Sequence, residues 1–213
     1  MKLCKRKGVM CECLTDHSVC NTANCHRKLP DIKRASKDAK MNKILIVIDC
    51  QNDFIYGILG TPEARDIVPN VLQKCRDARK SGDTIIFTKD LHYKEDYGDT
   101  LEGKCVPPHC MANDNGHWIL PELQSYIDFT ATKSTYGYQF WGDWHHILEE
   151  AQMIELCGVC TDICVISNAL LLRSMYPATP IRIDASCCAG LTPEKHKAAL
   201  EVMKSCNVEV VNE

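Results

Sequence analysis

The sequence contains no apolar run that is long enough to cross a membrane. Its longest strongly apolar run, ILIVI at 44–48, has only five residues, whereas a transmembrane helix needs about 20. The N-terminus, MKLCKRKGVMCEC, carries basic residues but no apolar stretch after them, so it does not have the pattern of a secretory signal. We therefore expect a cytoplasmic protein that has no membrane partner.

The sequence also lacks the glycine-rich motifs that bind nucleotide phosphates. No GxGxxG and no GxxxxGK(S/T) follows a predicted strand, which leaves the dinucleotide-binding and P-loop classes without support. Internal repeats and low-complexity tracts are absent too. Hydrophobic residues make up 45% and charged residues 25% of the 213 residues, the composition of an ordinary globular protein.

Cysteine, by contrast, is abundant, with fifteen residues in the chain. In a cytosolic protein, cysteines are expected to be free thiols, metal ligands or nucleophiles rather than a disulfide framework. The odd number also argues against a fully paired extracellular scaffold.

Charge divides the chain into two parts. Residues 1–40 hold ten Lys/Arg and four Asp/Glu, a net charge of +6, and the rest holds fifteen and twenty-four, a net charge of −9. This shift predicts a Cys-rich basic appendage and linker at 1–40 and a folded domain at 41–213. The length suits one α/β domain with a short addition.

Residues 1–40 leave two interpretations open. Five cysteines and two histidines fall in this segment, and four thiolates can fold a segment that has no core around zinc. Their spacing contains no C-x₂-C pair, so a disordered, reducible tail is an equal alternative. A second zinc ion is therefore one hypothesis for this segment, and nucleic acid is not its expected partner. The seven residues are Cys4, Cys11, Cys13, His17, Cys20, Cys25 and His26.

From residue 42 onward, short apolar runs alternate with amphipathic segments. This pattern predicts a three-layer α/β fold with about six mostly parallel strands in a doubly wound sheet. Strands are predicted at 43–49, 83–90, 126–133, 153–159, 181–185 and 208–211. Helices are predicted from Pro69 to Gly82, over 144–151 and 161–175, and after the cap at Thr192.

In such sheets, ligands bind beyond the carboxyl ends of the strands. Four predicted strands end in residues that can carry chemistry: Asp49, Asp90, Lys133 and the segment 160–164. We therefore expect the functional site to lie at this edge of the sheet.

The segment CGVCTDICV at 157–165 offers three thiols. Cys157 alternates with apolar residues in a strand and is predicted to pack in the core. A redox pair with Cys160 is disfavoured, because in a thioredoxin motif the pair opens a helix. Cys164 falls in the first turn of the next helix, where the helix dipole favours a thiolate. It is the candidate nucleophile.

Acyl transfer also requires a base and charge stabilisation. Asp49 can take the thiol proton, Lys133 can hold both groups ionised, and the backbone N–H groups of Cys160 and Cys164 can bind an oxyanion. Taken singly, Asp49 is also a cap, Lys133 a surface charge and Cys164 a core thiol. The residues alone leave the triad and these structural interpretations balanced.

Four motifs resemble those of the isochorismatase-like cysteine hydrolases. They are LIVIDCQNDF at 45–54, TKDLH at 88–92, TKSTYG at 132–137 and CGVCTDICV at 157–165. The resemblance spans 42–213 and implies an Asp49–Lys133–Cys164 triad. It also implies a cis peptide bond between Val159 and Cys160.

The stretch after the second strand resembles the metal-binding loop of the nicotinamidases in this family. The matching elements are D-x-H and PPHC, with a glutamate seven residues before the PPHC histidine. The resemblance implies a divalent ion, Zn, Fe or Mn, and Glu95, Asp96 or Asp99 can stand in for the glutamate. The implied ligands are Asp90, His92, Glu102 and His109.

A nicotinamidase would hydrolyse nicotinamide to nicotinate and ammonia through a Cys164 thioester, with the ion anchoring the pyridine nitrogen. Phe54 and Phe140 are candidate walls for the ring. Val106 stands where many nicotinamidases carry Trp, so ring stacking must come from elsewhere or the substrate differs. The alternative is a cysteine hydrolase of another small amide or ureide without a catalytic metal. Family analogy also suggests a homo-oligomer.

Overall fold

The structure is a computed structural model and describes residues 43–213. The appendage, its two interpretations and its boundary at 41 lie outside the described residues and stay predictions. In the described part, no helix is both long and apolar enough to span a bilayer.

Six strands form one sheet in which every pairing is parallel, in the order β3-β2-β1-β4-β5-β6. The predicted doubly wound α/β fold is therefore confirmed, and the sheet is wholly parallel. The strands are β1 Ile44–Ile48, β2 Thr84–Asp90, β3 Phe129–Lys133, β4 Ile154–Val159, β5 Ile181–Ala189 and β6 Glu209–Val211.

Eight α-helices and several tighter or wider turns connect the described strands. The α-helices are α1 Asn52–Ile55, α2 Pro62–Asp66, α3 Val68–Ser81, α4 Lys94–Tyr97, α5 Leu101–Cys105, α6 His145–Leu148, α7 Ile166–Met175 and α8 Pro193–Ser205. The 3₁₀ segments are Asn115–His117, Pro121–Tyr126 and Trp141–Trp144, and a π turn spans Thr161–Val165.

The strand order reverses at β1, which pairs with β2 on one side and with β4 on the other. All five residues of β1 are buried, as a continuous β-branched run predicts for a strand covered on both faces. A crevice forms at such a reversal, at the carboxyl ends of the strands. Asp49, the residue after β1, lies at this position.

The predicted helix ends are largely confirmed. Gly82 ends α3 with φ 75°, a left-handed conformation that glycine adopts at little cost. Thr192 caps α8 by accepting a hydrogen bond from the Lys195 N–H. In α3, Val71, Cys75 and Ala78 are buried, and Leu72 is half-buried at the margin of the core.

Four elements differ from their predicted bounds. β5 continues to Ala189, because its added cysteines and alanine are small and buried. β3 begins at Phe129, since Pro121 opens a 3₁₀ segment before it. The helix predicted over 144–151 is shortened to α6, and the preceding residues form a 3₁₀ turn around buried Trp141. The fourth difference is at the helix predicted over 161–175, whose first five residues form the π turn Thr161–Val165 and belong to the candidate site.

Candidate active site

Asp49 follows β1 and is completely buried. Thr88 of β2 holds it from two sides: the Asp49 N–H donates to the Thr88 hydroxyl at 3.0 Å, and that hydroxyl donates to Asp49 Oδ1 at 2.6 Å. This contact leaves Oδ2 to face Lys133. The sequence predicted no role for Thr88, because no local pattern indicates that its hydroxyl contacts Asp49, 39 residues earlier in the chain.

Lys133 at the end of β3 joins the predicted triad. Its Nζ lies 2.7 Å from Asp49 Oδ2 and 3.9 Å from the Cys164 sulfur. A third neighbour is Asp90, whose Oδ1 is 3.7 Å from Nζ. The structure therefore brings the three sequence-predicted residues together, all of them buried.

Burial and charge set the protonation of this trio. Burial opposes the charge of Lys133, but Asp49, Cys164 and Asp90 outweigh it and raise the pKa of the ammonium. Lys133 therefore stays protonated. Burial raises the pKa of Asp49, and Lys133 only partly offsets this increase. A carboxylate with a raised pKa is a better proton acceptor.

The Cys164 thiol differs from the sequence expectation. Helix-start placement predicts a lowered pKa, but burial raises the pKa of this thiol well above its usual value, with Lys133 opposing. The physical reason is that complete desolvation disfavours the thiolate more than one cation favours it. Attack by Cys164 therefore requires a base to take its proton.

Cys164 lies in the π turn that follows β4. The Cys160 carbonyl accepts hydrogen bonds from the N–H groups of Ile163 and Val165, each at 3.0 Å, and the second bond widens the turn from α to π geometry. The peptide bond between Val159 and Cys160 is cis, as the family resemblance implies. Cys157 is fully buried within β4.

Two side chains from other helices hold this turn. Asn168 of α7 donates to the Cys164 carbonyl at 2.8 Å and accepts from the Tyr138 N–H and the Trp141 indole, each at 2.9 Å. Thr161 Oγ1 lies 2.8 Å from Nδ1 of His196 in α8. Sequence reasoning missed both, since the other partners of Asn168 and the partner of Thr161 lie about 30 residues away in the chain.

Beside the triad, one ligand atom each from Asp90, His92, Glu102 and His109 lies within 4.8 Å of the others. His92 Nε2 and His109 Nε2 approach Asp90 Oδ2 to 3.3 Å and 3.7 Å. His109 Nε2 is also 3.7 Å from Glu102 Oε1. The alternative acids, Glu95, Asp96 and Asp99, are exposed and outside this group.

This cluster fits a divalent ion. Asp90 Oδ1 and His92 Nε2 are buried and have no hydrogen-bond partner among the described residues, although buried polar atoms nearly always have one. Two imidazoles and two carboxylates are the donors that Zn, Fe and Mn accept. Burial opposes the charge of Asp90, but Lys133 and the two histidines outweigh it and lower its pKa.

Two side chains of the QNDF motif hydrogen-bond to the backbone at or beside the ligand residues. The Gln51 side chain accepts from the Asp90 N–H at 2.7 Å and donates to the Asp90 carbonyl at 2.8 Å. Asp53 Oδ2 accepts from the N–H of Cys110, beside His109, at 2.7 Å. The motif could be read from the sequence, but these roles could not.

The two predicted ring walls differ in position. Phe54 is buried, and its ring lies 5.3 Å from the His109 ring, which places it beside the metal-ligand cluster. Phe140 contacts the Tyr138 ring at 5.8 Å. Val106, half-buried, ends α5 through a hydrogen bond from its N–H to the Glu102 carbonyl at 2.8 Å.

The isochorismatase-domain profile matches residues 43–213. The chain belongs to the isochorismatase family. It is 25% identical to a nicotinamidase of Saccharomyces cerevisiae, with 80% of this chain and 99% of the relative covered. It is 27% identical to a nicotinamidase/pyrazinamidase of Mycobacterium tuberculosis, over 79% of this chain and 98% of the relative.

Solved structures of this family share the fold. The crystal structure of a pyrazinamidase of Pyrococcus horikoshii in complex with zinc matches with a TM-score of 0.70 and 27% identity. The match covers 81% of this chain and 99% of that chain. The similarity thus extends over nearly the whole of the described domain.

Proposed function

We propose that the protein hydrolyses nicotinamide to nicotinate and ammonia. The coarser statement, that the chain is an amidohydrolase, follows from its family and from relatives that are nicotinamidases. The observation that carries the proposal is the convergence of a buried Asp49–Lys133–Cys164 trio beside four metal-type ligands.

The reaction begins at the Cys164 sulfur, which attacks the carboxamide carbon. The thiol proton passes to the Asp49 carboxylate and then to the leaving nitrogen, so that ammonia departs and a thioester remains. Water, deprotonated by Asp49, then attacks the thioester carbon. This second step releases nicotinate and returns the proton to the sulfur.

Lys133 and the π turn stabilise the charge that develops. Lys133 keeps its positive charge beside Asp49 and Cys164, which favours the ionised form of both groups. The N–H groups of Cys160 and Cys164 would bind the oxyanion, since backbone donors near the start of a helical segment suit a developing negative charge.

The four ligands beside the triad give the substrate preference its physical basis. They would hold one divalent ion, Zn, Fe or Mn, which when bound supplies a coordination position for the pyridine nitrogen. Phe54 lies against His109 and would pack on the ring. Held at its nitrogen, the ring presents its carboxamide to Cys164, a proximity effect.

The test is ammonia release from nicotinamide by the purified protein. We expect Cys164→Ala to lower kcat by at least about a thousandfold, because removing a nucleophile abolishes the covalent route. Cys206→Ala, which changes a half-buried thiol at the end of α8, is the matched control and should retain activity. Activity that survives Cys164→Ala would refute the mechanism.

The alternative is a cysteine hydrolase of another small amide or ureide that works without a catalytic metal. It has the weaker support, because two buried atoms of the ligand cluster have no hydrogen-bond partner among the described residues. Activity on a simple ureide that persists in chelator, with none on nicotinamide, would favour it.

A further inference from the structure

Tyr97 lies inside the loop that supplies three of the four metal-type ligands. It ends α4, and only 4% of its surface is exposed. Neither the family motifs nor the triad chemistry assigns it a role. Its side chain and its backbone nevertheless contact all three ligand-bearing segments of the loop.

The first contact is with His109. Tyr97 Oη lies 3.1 Å from His109 Nδ1, and the Pro107 carbonyl lies 2.9 Å from the same nitrogen. The phenol can donate its own proton to the carbonyls of Val106 and Pro107, each at 3.2 Å. This leaves the Oη lone pairs and the Pro107 carbonyl to accept the Nδ1–H.

This pattern selects a tautomer. A neutral imidazole carries one proton, so a proton held on Nδ1 leaves a lone pair on Nε2. Nε2 of His109 faces Asp90 and Glu102 at 3.7 Å. A metal-ligating histidine needs that lone pair, and hydrogen bonds to its other nitrogen fix both tautomer and ring orientation.

The second contact is with His92. The Tyr97 ring lies 4.7 Å from the His92 ring and 5.6 Å from the His109 ring. The two imidazoles are themselves 4.9 Å apart. Tyr97 thus completes a packed group of three rings and restricts the rotation of both histidines.

The third contact is with α5, which carries Glu102. The Tyr97 carbonyl accepts hydrogen bonds from the Thr100 N–H at 3.1 Å and the Thr100 hydroxyl at 2.8 Å. Thr100 in turn caps α5 by accepting the Gly103 N–H at 2.9 Å. A Cβ on Gly103 would clash with the Tyr97 carbonyl oxygen, so α5 rests directly on the backbone of this residue.

We propose that Tyr97 is a positioning residue that presets His92, Glu102 and His109 for the ion. Asp90, the fourth ligand, is fixed separately by Gln51. The inference rests on the metal site of the proposed function, but not on the identity of the amide that is hydrolysed.

The experiment measures zinc binding by the full chain with no amide present. Metal-free protein is titrated with Zn²⁺ against a chromogenic chelator. Tyr97→Phe keeps the ring and removes only the hydroxyl, so we expect the zinc Kd to rise by about 10–100-fold, as for other partners of metal ligands. Tyr56→Phe, an exposed tyrosine, should leave the Kd unchanged.

A second readout separates positioning from general stability. The increase in melting temperature on adding zinc should be smaller for Tyr97→Phe than for the parent, each compared with its own metal-free form. A zinc Kd within twofold of the parent would overturn the inference. So would unchanged zinc binding by His109→Ala, because the cluster would then not be the ion site.

Ammonia release from nicotinamide by the parent protein tests the proposed substrate separately from the role of Tyr97. If Tyr97→Phe weakens zinc binding as expected but the parent protein releases no ammonia from nicotinamide, the role of Tyr97 stands and the proposed substrate fails.

Discussion

At the scale of single residues, the site depends on charges that have been removed from water. Asp49 and Lys133 are both buried, and their ion pair is 2.7 Å long. Burying two charges costs several kcal/mol each, which the pair offsets only when both partners are present. The sequence indicated these residues, because each stands at the carboxyl end of a predicted strand, where ligands bind in such sheets.

The free energy of unfolding tests whether Asp49 and Lys133 stabilise one another. Asp49→Asn and Lys133→Met should each lower the free energy of unfolding by about 3–5 kcal/mol, because each leaves one buried charge without its partner. The double variant should lose clearly less than the sum of the two. Urea unfolding followed by circular dichroism measures all three values.

The control for this cycle is Lys197→Met, which removes an exposed lysine of α8 and should change stability by less than about 0.5 kcal/mol. Strict additivity of the two buried variants would show that Asp49 and Lys133 do not stabilise one another.

At the scale of elements, a partly buried ion-pair group joins α3 to the sheet. Lys74 Nζ of α3 lies 2.6 Å from Asp184 of β5 and 3.0 Å from Glu155 of β4. Burial opposes the charge of Asp184, but hydrogen bonds from Lys74 and Ser186 outweigh it and lower its pKa from 3.8. These two ion pairs attach α3 to both β4 and β5.

The pH dependence of stability follows from this lowered pKa. A carboxylate that is more acidic in the folded state stabilises the protein above its unfolded pKa of about 3.8, and this contribution is lost as the pH falls through the folded pKa. At neutral pH, Asp184→Asn should therefore cost about 1–3 kcal/mol. The difference from the parent should narrow below about pH 3.8.

Urea midpoints measured from neutral to acidic pH give this comparison. Asp77→Asn, which changes a mostly exposed carboxylate of α3, serves as the control and should track the parent throughout. A gap between parent and Asp184→Asn that stays constant with pH would contradict the assignment.

Some elements could be predicted from local sequence patterns, and the π turn could not. A run of buried β-branched residues predicts β1 well, and caps such as Thr192 and Gly82 mark helix ends through local chemistry. The π turn at Thr161–Val165 could not be predicted in this way. Its geometry depends on which N–H groups reach the Cys160 carbonyl, and Asn168 and His196 help to hold it from other helices.

At the scale of the whole molecule, residues 44–211 supply all six strands of the described part of the chain, and the family match begins at residue 43. The candidate site residues named above lie within that range. The role of residues 1–40 and the homo-oligomer suggested by family analogy stay predictions.

We predict that deleting residues 1–40 will leave kcat/KM within about threefold of the full chain, because every candidate catalytic and metal-type residue falls between positions 49 and 164. The rate of ammonia release gives kcat/KM for both proteins. Plasma emission spectroscopy gives the number of metal ions that each protein holds. If residues 1–40 bind zinc, the full chain will hold one ion more than the shortened chain. A large loss of kcat/KM would place part of the active site in the appendage.

The sequence alone determined the strand and helix pattern, the candidate nucleophile, and the edge of the sheet where the site lies, because these depend on local periodicity and on strand direction. Its motifs, through the family they resemble, supplied the candidate metal ligands. Only the tertiary structure showed the burial that raises the pKa of Cys164, the grouping of Glu102 rather than the other nearby acids with these candidates, and the contacts of Thr88, Gln51 and Tyr97. These depend on burial and on distances between residues far apart in the chain, which no local pattern encodes.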